Sequence, residues 1–319
     1  MQDKIIAGKM KAIRMHSRGG PENLVYEDAD IPKISEGEVL IKVHAASITP
    51  TELTWNSSFT DRNKKERFPV IPSFEVSGTV SDLSSEVKHL KSGDEVYGLL
   101  DFWKNGAAAE YVAIDAAEIT LKPSTLDHIS SASLPLSGLT AWQALFDHGH
   151  LEPGQTVLIH GAGGGVGSLA VQIASWKGAE VIGTCSREKE VIVRQLGANQ
   201  VIDYSNARFE DVANGVDLVL DTVGGEVLNR SYQIVRRGGT VVTIADEIDE
   251  ELASKYGAKG ISFLVEPNRK ELREIALLVD SGKIRPVIQD TFPLRDAKQA
   301  FISGITNHNT GKTVLRVID

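Results

Sequence analysis

The sequence lacks several features that would place it in large classes of protein. It has a single cysteine, Cys185, so no disulfide can form within the chain. No apolar run reaches the roughly 18 residues of a membrane helix, and the start, MQDKIIAGKMK, has no apolar core of a signal peptide. Acidic residues outnumber basic ones, 43 to 34, whereas binding to nucleic acid depends on clustered Lys and Arg. We therefore expect a cytoplasmic globular protein with no membrane span and no nucleic-acid partner.

Two patterns of secondary structure divide the chain. From Met10 to about residue 130, short alternating runs such as VLIKVHAA at 39–46 lie between turn-forming residues, which indicates a mainly β domain. From Ser133, apolar strands such as TVLIH at 156–160 alternate with amphipathic helices, which predicts a parallel sheet covered on both faces. The tail after residue 284 either extends that sheet or returns to the β domain.

The strongest indication of a binding site is the glycine-rich turn GAGGGVG at 161–167, between the strand TVLIH and an amphipathic helix. That position is what a dinucleotide fingerprint requires. Glycines allow a tight turn and a close approach of a pyrophosphate, and the N–H groups and dipole of the helix start favour the anion. The alternative is a tight turn without a ligand. The predicted cofactor contacts in this turn are Gly161, Gly164, Gly165, Val166 and Gly167.

The end of the following strand, EVIGT at 180–184, bears on the choice of cofactor. Enzymes that prefer NAD usually place Asp or Glu there, whereas this chain continues with Cys185, Ser186 and Arg187. A hydroxyl and a guanidinium suit a 2′-phosphate, so we predict NADPH. The alternative is that Arg187 is a solvated charge and Glu188 binds the ribose. Cys185 is expected to pack as a small apolar side chain.

Several segments, in a fixed order from Met10 onwards, resemble those of the medium-chain dehydrogenase/reductase superfamily and, within it, the zinc-free quinone oxidoreductase-like branch. The resemblance implies an α/β protein with a GroES-like β-rich catalytic domain of residues 10–133 and 284–319. It also implies a Rossmann domain with a doubly wound parallel sheet at 134–283, an active site in the cleft between them, and the return of the tail to the β domain. The segments are GEVLIKVHAASITPTEL, FPVIPSFEVSGTV, GDEVYG, AAAEYV, SLPLSGLTAWQAL, GQTVLIHGAGGGVG, LGANQVIDY, VDLVLDTVGG, RRGGTVVTI and GKTVLRV.

The same resemblance implies further cofactor contacts, each of which could instead be a packing residue. Thr140 falls where relatives approach the nicotinamide, and Tyr204 where they contact the adenosine phosphate region. The other matched positions line the cleft or offer backbone contacts to the carboxamide, namely Val223, Ala245, Phe263 and Val265. Relatives often dimerise, so the resemblance also implies a homodimer.

The positions that bind zinc in metal-dependent relatives differ here. Thr49 stands where those relatives carry a Cys ligand, and Phe74 where they carry a His ligand. Zinc needs several sulfur, imidazole or carboxylate ligands, and Glu52 and Glu75 alone are too few. We therefore predict that no metal is bound.

Without a metal to polarise a C–O bond, the predicted reaction is hydride addition from NADPH to a quinone or an α,β-unsaturated carbonyl, a small electrophile that needs only hydrogen-bond donors at its oxygen. Related reductases often carry Asn and Tyr where this chain has Thr49 and Thr54. These two threonines are the candidate catalytic donors, or else structural hydroxyls. Trp55 and Phe59 are candidate walls of the substrate pocket, or else ordinary core or surface aromatics.

Two other functions are compatible with the sequence. An enoyl-thioester reductase of the same superfamily would need a basic entrance for phosphopantetheine phosphates, and the net charge of −9 argues against it. A non-catalytic NADPH-binding redox sensor would account for the replaced Asn and Tyr positions.

Overall fold

The computed structural model of the chain describes residues 8–306 and 310–318. The strands are β1 (Lys9–Arg14), β2 (Val25–Asp30), β3 (Glu38–Ile48), β4 (Glu75–Leu83), β5 (Glu95–Leu99), β6 (Tyr111–Asp115), β7 (Ile119–Leu121), β8 (Thr156–Ile159), β9 (Glu180–Cys185), β10 (Gln200–Asp203), β11 (Val216–Asp221), β12 (Val235–Thr243), β13 (Lys259–Ser262), β14 (Ile288–Pro293) and β15 (Lys312–Arg316). The α-helices are α1 (Asn56–Phe59), α2 (His128–Ala132), α3 (Pro135–Trp142), α4 (Gly165–Lys177), α5 (Glu190–Gln195), α6 (Gly225–Ser231), α7 (Glu250–Tyr256), α8 (Arg269–Asp280) and α9 (Ala297–Thr306).

These elements form two compact units whose division does not follow chain order. The first unit contains the described residues up to 136, together with 267–280, 286–306 and 310–318. The second contains Ser137–Glu266 and Ser281–Arg285. Among the residues that the structure describes, no helix is both long enough and apolar enough to cross a bilayer.

The first unit is built mainly on antiparallel strands, in keeping with its alternating sequence pattern, although β14 and β15 pair in parallel. Strands β1 and β2 form a ribbon, and the larger sheet has the order β14-β15-β3-β4-β5-β7. One edge of the long strand β3 is shared, because β6 pairs with its first half and β15 with its last residues. The last two strands of the described chain therefore belong to the same sheet as β3. Buried side chains that include Ile13, Phe59 and Phe301 form one of its core clusters.

The second unit is a parallel sheet with the strand order β10-β9-β8-β11-β12-β13. Counted from β8, this is the order 3-2-1-4-5-6 of a doubly wound Rossmann sheet. Strand β8 is almost entirely buried, as a strand covered on both faces must be. Helix α4 follows it and ends at Gly178, which has φ 89° and a left-handed conformation. The fold class predicted from the sequence is confirmed.

Helix α8 belongs to the first unit, although the sequence prediction placed residues up to 283 in the Rossmann domain. Two sets of contacts explain this. The buried Tyr97 hydroxyl donates a hydrogen bond to the Leu272 carbonyl at 2.5 Å. The carboxylate of Asp280 accepts hydrogen bonds from the backbone N–H and hydroxyl groups of both Ser124 and Thr125.

Candidate functional site

The carboxyl ends of the parallel strands carry most of the predicted cofactor residues. In an open parallel sheet, ligands bind at this edge, near the point where the strand order reverses. Here that point lies between β8 and β11. The glycine-rich turn follows β8, Ser186 and Arg187 follow β9, Tyr204 follows β10, Val223 follows β11, Ala245 follows β12, and Phe263 and Val265 follow β13.

The glycine-rich turn has the shape that its sequence predicts. Gly161 adopts φ 68°, a conformation that side chains disfavour. A Cβ on Gly167, in the first turn of α4, would collide with the Gly161 carbonyl oxygen and lie 2.8 Å from the Ala162 Cα. A Cβ on Gly164, the N-cap of α4, would meet only the Gly161 oxygen, at 3.3 Å. Since Gly164 has no side chain to cap the helix, the first N–H groups of α4, including those of Gly165 and Val166, are available to an anion.

The end of β9 presents a guanidinium without an ionic partner. Arg187 is exposed, and its guanidinium forms no hydrogen bond or ion pair within the described part of the chain. The pKa of Asp203, at the end of β10, is lowered mainly by the Ser205 N–H and to a smaller extent by the charge of Arg187. Strands β9 and β10 pair with Asp203 opposite Cys185, so Tyr204, which is 62% exposed, stands beside this edge.

Glu188, the alternative candidate for binding the ribose at the end of β9, is hydrogen-bonded to Ser186. The Ser186 hydroxyl donates a hydrogen bond to Glu188 Oε1 at 3.1 Å. Cys185 is buried, and burial raises the pKa of its thiol to about 11. The thiol is therefore protonated at neutral pH and packs as a small apolar group, as predicted.

The positions matched to the nicotinamide end differ in exposure. Thr140 is buried in α3, and Val265 is buried after β13. Val223 is exposed in the turn after β11, and a Cβ on the adjoining Gly224 would lie 3.4 Å from the Ala245 Cβ. The turns after β11 and β12 therefore lie against each other.

Phe263 has an aromatic partner in the same unit. Its ring centroid lies 4.4 Å from that of His148, in the π-helical turn Gln143–His148 that follows α3. The contact holds the phenyl ring beside the segment after β13. The peptide bonds of this segment are the groups that the family resemblance matched to the carboxamide.

A buried polar network beneath the glycine-rich turn is not evident from the sequence. His160, the residue before Gly161, is 1% exposed; its Nδ1 lies 3.0 Å from the Thr184 hydroxyl and its Nε2 3.0 Å from the Ser231 hydroxyl. Burial lowers its pKa to about 3, so the imidazole is neutral. The Thr222 hydroxyl donates to the His160 carbonyl at 2.9 Å. These bonds fix the end of β8 to its neighbours.

Asp221 fixes the neighbouring turn in the same way. This carboxylate is fully buried and accepts hydrogen bonds from the Val223 and Gly224 N–H groups and from the Thr243 hydroxyl, at 2.8 to 3.2 Å. Burial raises its pKa, whereas these donors lower it. In the sequence this aspartate is visible only as part of the family segment VDLVLDTVGG, so its structural role was missed.

In the first unit, the two candidate threonines differ in what their hydroxyl groups do. Both belong to the loop after β3, where a 3-10 helix spans Pro50–Thr54. The Thr54 hydroxyl donates to the Thr51 carbonyl at 2.7 Å, so its single hydrogen is used locally. The Thr49 oxygen lies 3.2 Å from Lys312 Nζ. Since an ammonium can only donate, the Thr49 oxygen is the acceptor and its own hydrogen is left for another group.

Around Thr49 lies a buried cluster of charged side chains. Glu75 is 1% exposed, forms an ion pair with Lys312 and accepts a hydrogen bond from the Leu136 N–H at 3.0 Å. Glu52 is equally buried and accepts from the Ser73 N–H at 2.9 Å and, more weakly, from the Thr49 N–H at 3.4 Å. Burial raises the pKa of Glu52 to about 8, against the lowering effect of the Ser73 N–H and of Lys312.

The two predicted pocket aromatics have different surroundings. Trp55 is partly exposed, and its ring centroid lies 6.4 Å from that of Phe74 and 5.4 Å from that of Phe102. Phe59 is 2% exposed and belongs to the core cluster that contains Ile13 and Phe301. The assignment of Phe59 to a substrate pocket is therefore corrected to a core position, because a side chain sealed in the core has no surface for a ligand.

No group of three or more His, Cys, Asp or Glu side chains within residues 8–306 and 310–318 is arranged to hold a metal ion. The ring of Phe74 neighbours those of Trp55 and Phe102, so the position of the family's histidine ligand is part of an aromatic cluster. The nearby carboxyl groups of Glu52 and Glu75 already accept hydrogen bonds from N–H groups, and Glu75 is also paired with Lys312.

The strand order and the glycine-rich turn together define a nucleotide-binding protein of the doubly wound α/β class. Comparison with known proteins narrows this class. An alcohol dehydrogenase GroES-like domain model matches residues 35–124, and a zinc-binding dehydrogenase model matches residues 196–315.

Similar proteins cover almost the whole chain. NAD(P)H oxidoreductase RTN4IP1, mitochondrial, of Homo sapiens is 36% identical over 88% of this chain and 82% of its own length. NADPH-dependent alkenal/one oxidoreductase, chloroplastic, of Arabidopsis thaliana is 33% identical over 98% and 81%. The structure of the quinone oxidoreductase from Coxiella burnetii superposes with a TM-score of 0.91 at 33% identity, over 98% of this chain and all of that one. The chain belongs to the medium-chain dehydrogenase/reductase superfamily of oxidoreductases.

Proposed function

We propose that the protein is a zinc-independent, NADPH-dependent reductase of quinones or α,β-unsaturated carbonyls. The observation that carries the proposal is the edge of the parallel sheet, where the glycine-rich turn, Arg187 and the exposed Tyr204 follow three neighbouring strands. Among the described residues, the Arg187 guanidinium has no ion-pair partner. An anion-binding turn beside a free guanidinium suits a dinucleotide with an additional phosphate. The names of the Arabidopsis and Coxiella relatives, an alkenal/one and a quinone oxidoreductase, support the same substrate classes.

The residues at this edge fit the proposed cofactor. Gly161 to Gly167 would hold the pyrophosphate, because their backbone can approach it closely and α4 offers its first N–H groups. Arg187 and Ser186 would bind the 2′-phosphate, with Tyr204 against the adenosine. Thr140, Val223, Ala245, Phe263 and Val265 remain the proposed contacts of the nicotinamide end.

Zinc independence is supported by the chemistry of the side chains around Thr49. A catalytic zinc needs three protein ligands and an open position. Thr49 and Phe74 offer neither thiolate nor imidazole, and Glu75 is bound to Lys312. Burial also raises the pKa of Glu52 to about 8, which keeps this carboxyl protonated at neutral pH and unsuited to a cation.

The chain's own contribution to the reaction would be orientation and hydrogen bonding. When bound, the reduced nicotinamide supplies a hydride to the electron-poor carbon of the substrate. Negative charge then develops on the substrate oxygen, and Thr49 is the proposed donor because its hydroxyl hydrogen is not used by Lys312. Trp55, next to this loop, is the proposed apolar contact for the substrate.

Replacement of Thr49 by valine is expected to lower kcat about tenfold, because one hydrogen bond to the developing oxyanion is lost. Thr54→Val is the matched control: the Thr54 hydroxyl already donates to the Thr51 carbonyl, so kcat should change less than twofold. Steady-state rates with one enone and one quinone measure both. Equal losses for the two variants would contradict the role of Thr49.

Replacement of Arg187 by alanine is expected to weaken NADPH binding by about 10- to 100-fold, the worth of a charge-assisted hydrogen bond to phosphate, and to leave NADH binding unchanged. Arg194→Ala is the control, because Arg194 is a half-exposed arginine of the same unit that is already paired with Glu190 at 2.9 Å. Fluorescence titration with both cofactors measures the effect. An equal loss for NADH and NADPH would mean that Arg187 does not recognise the 2′-phosphate.

The direct test is NADPH oxidation followed by absorbance with p-benzoquinone, phenanthrenequinone and a short enone, repeated with NADH and with a chelator. Turnover that prefers NADPH and survives the chelator is expected. Chelator-sensitive turnover would contradict zinc independence. Tight NADPH binding without turnover would favour the redox sensor. Turnover confined to enoyl thioesters would favour the enoyl-thioester reductase.

The homodimer and the cytoplasmic location remain predictions. Two relatives carry "mitochondrial" and "chloroplastic" in their names.

A further inference from the structure

The cluster around Thr49 contains a buried lysine that the proposed reaction does not yet use. Lys312 begins β15, Thr49 follows the end of β3, and Glu75 begins β4, three neighbouring strands of one sheet. Antiparallel pairing places Thr313 opposite Ile48 and Ser47 opposite Glu75. The register of the sheet therefore brings an ammonium, a hydroxyl and a carboxylate together at one end of three strands.

The arrangement of charges in this cluster fixes the lysine firmly. The Lys312 side chain is 8% exposed and forms its ion pair with Glu75, which is 1% exposed. Glu75 is itself held by the Leu136 N–H. A buried ammonium needs hydrogen-bond acceptors to offset the loss of water. Lys312 donates one of its hydrogen bonds to the Thr49 hydroxyl oxygen, at 3.2 Å.

The direction of this last hydrogen bond has a chemical consequence. A lysine ammonium has no acceptor, so the Thr49 oxygen must accept and cannot donate to Lys312. An adjacent positive charge that donates to a hydroxyl oxygen also polarises its O–H bond and strengthens the hydrogen bond that the hydroxyl gives to a third group. Thr54, whose hydrogen is held by a backbone carbonyl, has no such arrangement.

We propose that Lys312 is a positioning residue for the reduction: held by Glu75, it orients and polarises the Thr49 hydroxyl so that Thr49 donates to the substrate oxygen. This inference rests on the proposed function. It involves no transfer of a proton from Lys312, which stays an ammonium throughout.

The test compares the effect of Lys312→Met with and without the Thr49 hydroxyl. We expect kcat to fall about tenfold in the otherwise unchanged protein, with the KM for NADPH unaltered. In a Thr49→Val background the same substitution should have little further effect, whereas a Thr49→Ser background should keep the full effect. Lys312→Arg should restore part of the rate, because it keeps the charge and the donors. Non-additivity of this kind indicates that two residues act as a unit.

A purely structural ion pair is distinguished by a matched lysine of the same unit. Lys122 has a side chain that is 9% exposed and is ion-paired with Glu95 at 3.2 Å. Lys122→Met should lower the melting temperature without changing kcat. If the Lys312→Met protein does not fold, the double variant Glu75→Gln/Lys312→Met, which removes both charges, takes its place. It is then compared in the unchanged, Thr49→Val and Thr49→Ser backgrounds.

Three outcomes would overturn the inference. The first is an equal loss of kcat from Lys312→Met with and without the Thr49 hydroxyl. The second is an unchanged kcat in a folded Lys312→Met protein. The third is a rise in the KM for NADPH as the sole effect. Failure of the proposed function looks different, because the unmodified protein would then reduce no quinone or enone in the presence of NADPH.

Discussion

Substitution of Gly167 by alanine is expected to abolish most cofactor binding and to lower the free energy of unfolding by about 1–3 kcal/mol, the usual cost of overpacking. The added Cβ would collide with the Gly161 carbonyl oxygen and approach the Ala162 Cα to 2.8 Å, so β8 and α4 must separate. That separation moves the N–H groups at the start of α4 away from the glycine-rich turn, with which they form the proposed pyrophosphate site. Thermal melting and a fluorescence titration with NADPH measure the two effects.

Gly164→Ala separates binding from folding at the same turn. Its Cβ would meet only the Gly161 oxygen, at 3.3 Å, and Gly164 does not have a positive φ, so the melting temperature should change little. The methyl group would nevertheless stand at the start of α4, where the pyrophosphate is proposed to bind, and NADPH affinity should fall at least about tenfold. Gly8→Ala is the control for both, because Gly8 is exposed and an added Cβ would make only an ordinary van der Waals contact with Ile31 Cδ1, at 3.7 Å. Normal NADPH affinity in Gly164→Ala would mean that the pyrophosphate does not lie over this turn.

Replacement of Glu52 by glutamine is expected to make stability less dependent on pH. Burial raises the folded-state pKa of Glu52 to about 8 from the ordinary 4.5. A carboxyl with a raised pKa contributes stability that is fully present below pH 4.5 and is lost as the pH rises through about 8, because the unfolded chain ionises first. Every pH unit that separates the folded from the unfolded pKa corresponds to about 1.4 kcal/mol, so the stabilities of the two proteins should come to differ by a few kcal/mol.

The two proteins should therefore unfold alike near pH 4.5, whereas the glutamine variant should be the more stable at about pH 9. Chemical denaturation across this range measures the difference. Glu86→Gln, at an exposed position, is the control and should show no such trend. A difference that stays constant with pH would mean that Glu52 is ionised in the folded protein, and it would remove one argument against a cation near Thr49.

The parallel-sheet unit could be predicted in most of its detail because its signals are local. Glycines 161, 164 and 167 lie within one turn, between a strand and a helix whose apolar patterns are unambiguous. Arg187 and Tyr204 closely follow short apolar strands, and the doubly wound order of those strands was implied by the family resemblance. Helix α8 was assigned to the wrong unit because its partners, Tyr97 on β5 and the segment of Ser124, lie far from it in the chain.

The charged cluster around Thr49 could not be predicted, because nothing in the local sequence connects its members. Thr49 and Lys312 are 263 positions apart. The segment GKTVLRV indicates only a final strand. From the sequence, Glu52 and Glu75 can be recognised only as possible zinc ligands, and two ligands are too few to hold the metal. Whether a glutamate is buried, and with which partner, depends on strand pairing. The alternating pattern of a strand shows which of its residues share a face, but it does not identify the distant strand with which it pairs. Phe59 was misassigned for a similar reason, since an aromatic residue near a loop packs in a core as readily as it lines a pocket.

The pairing of β15 with β3 has a consequence for how the chain is made. During synthesis β3 emerges from the ribosome early. The backbone edge of its last residues, Ala45 to Ile48, that pairs with β15 stays unpaired until β15 emerges. All strands of the parallel sheet lie between β3 and β15 in the chain, so that sheet can assemble before the edge is closed. Lys312 arrives with the same strand. A nascent or prematurely terminated chain would thus carry a finished nucleotide-binding sheet and an open β edge, a species suited to capture by chaperones and unable to orient Thr49.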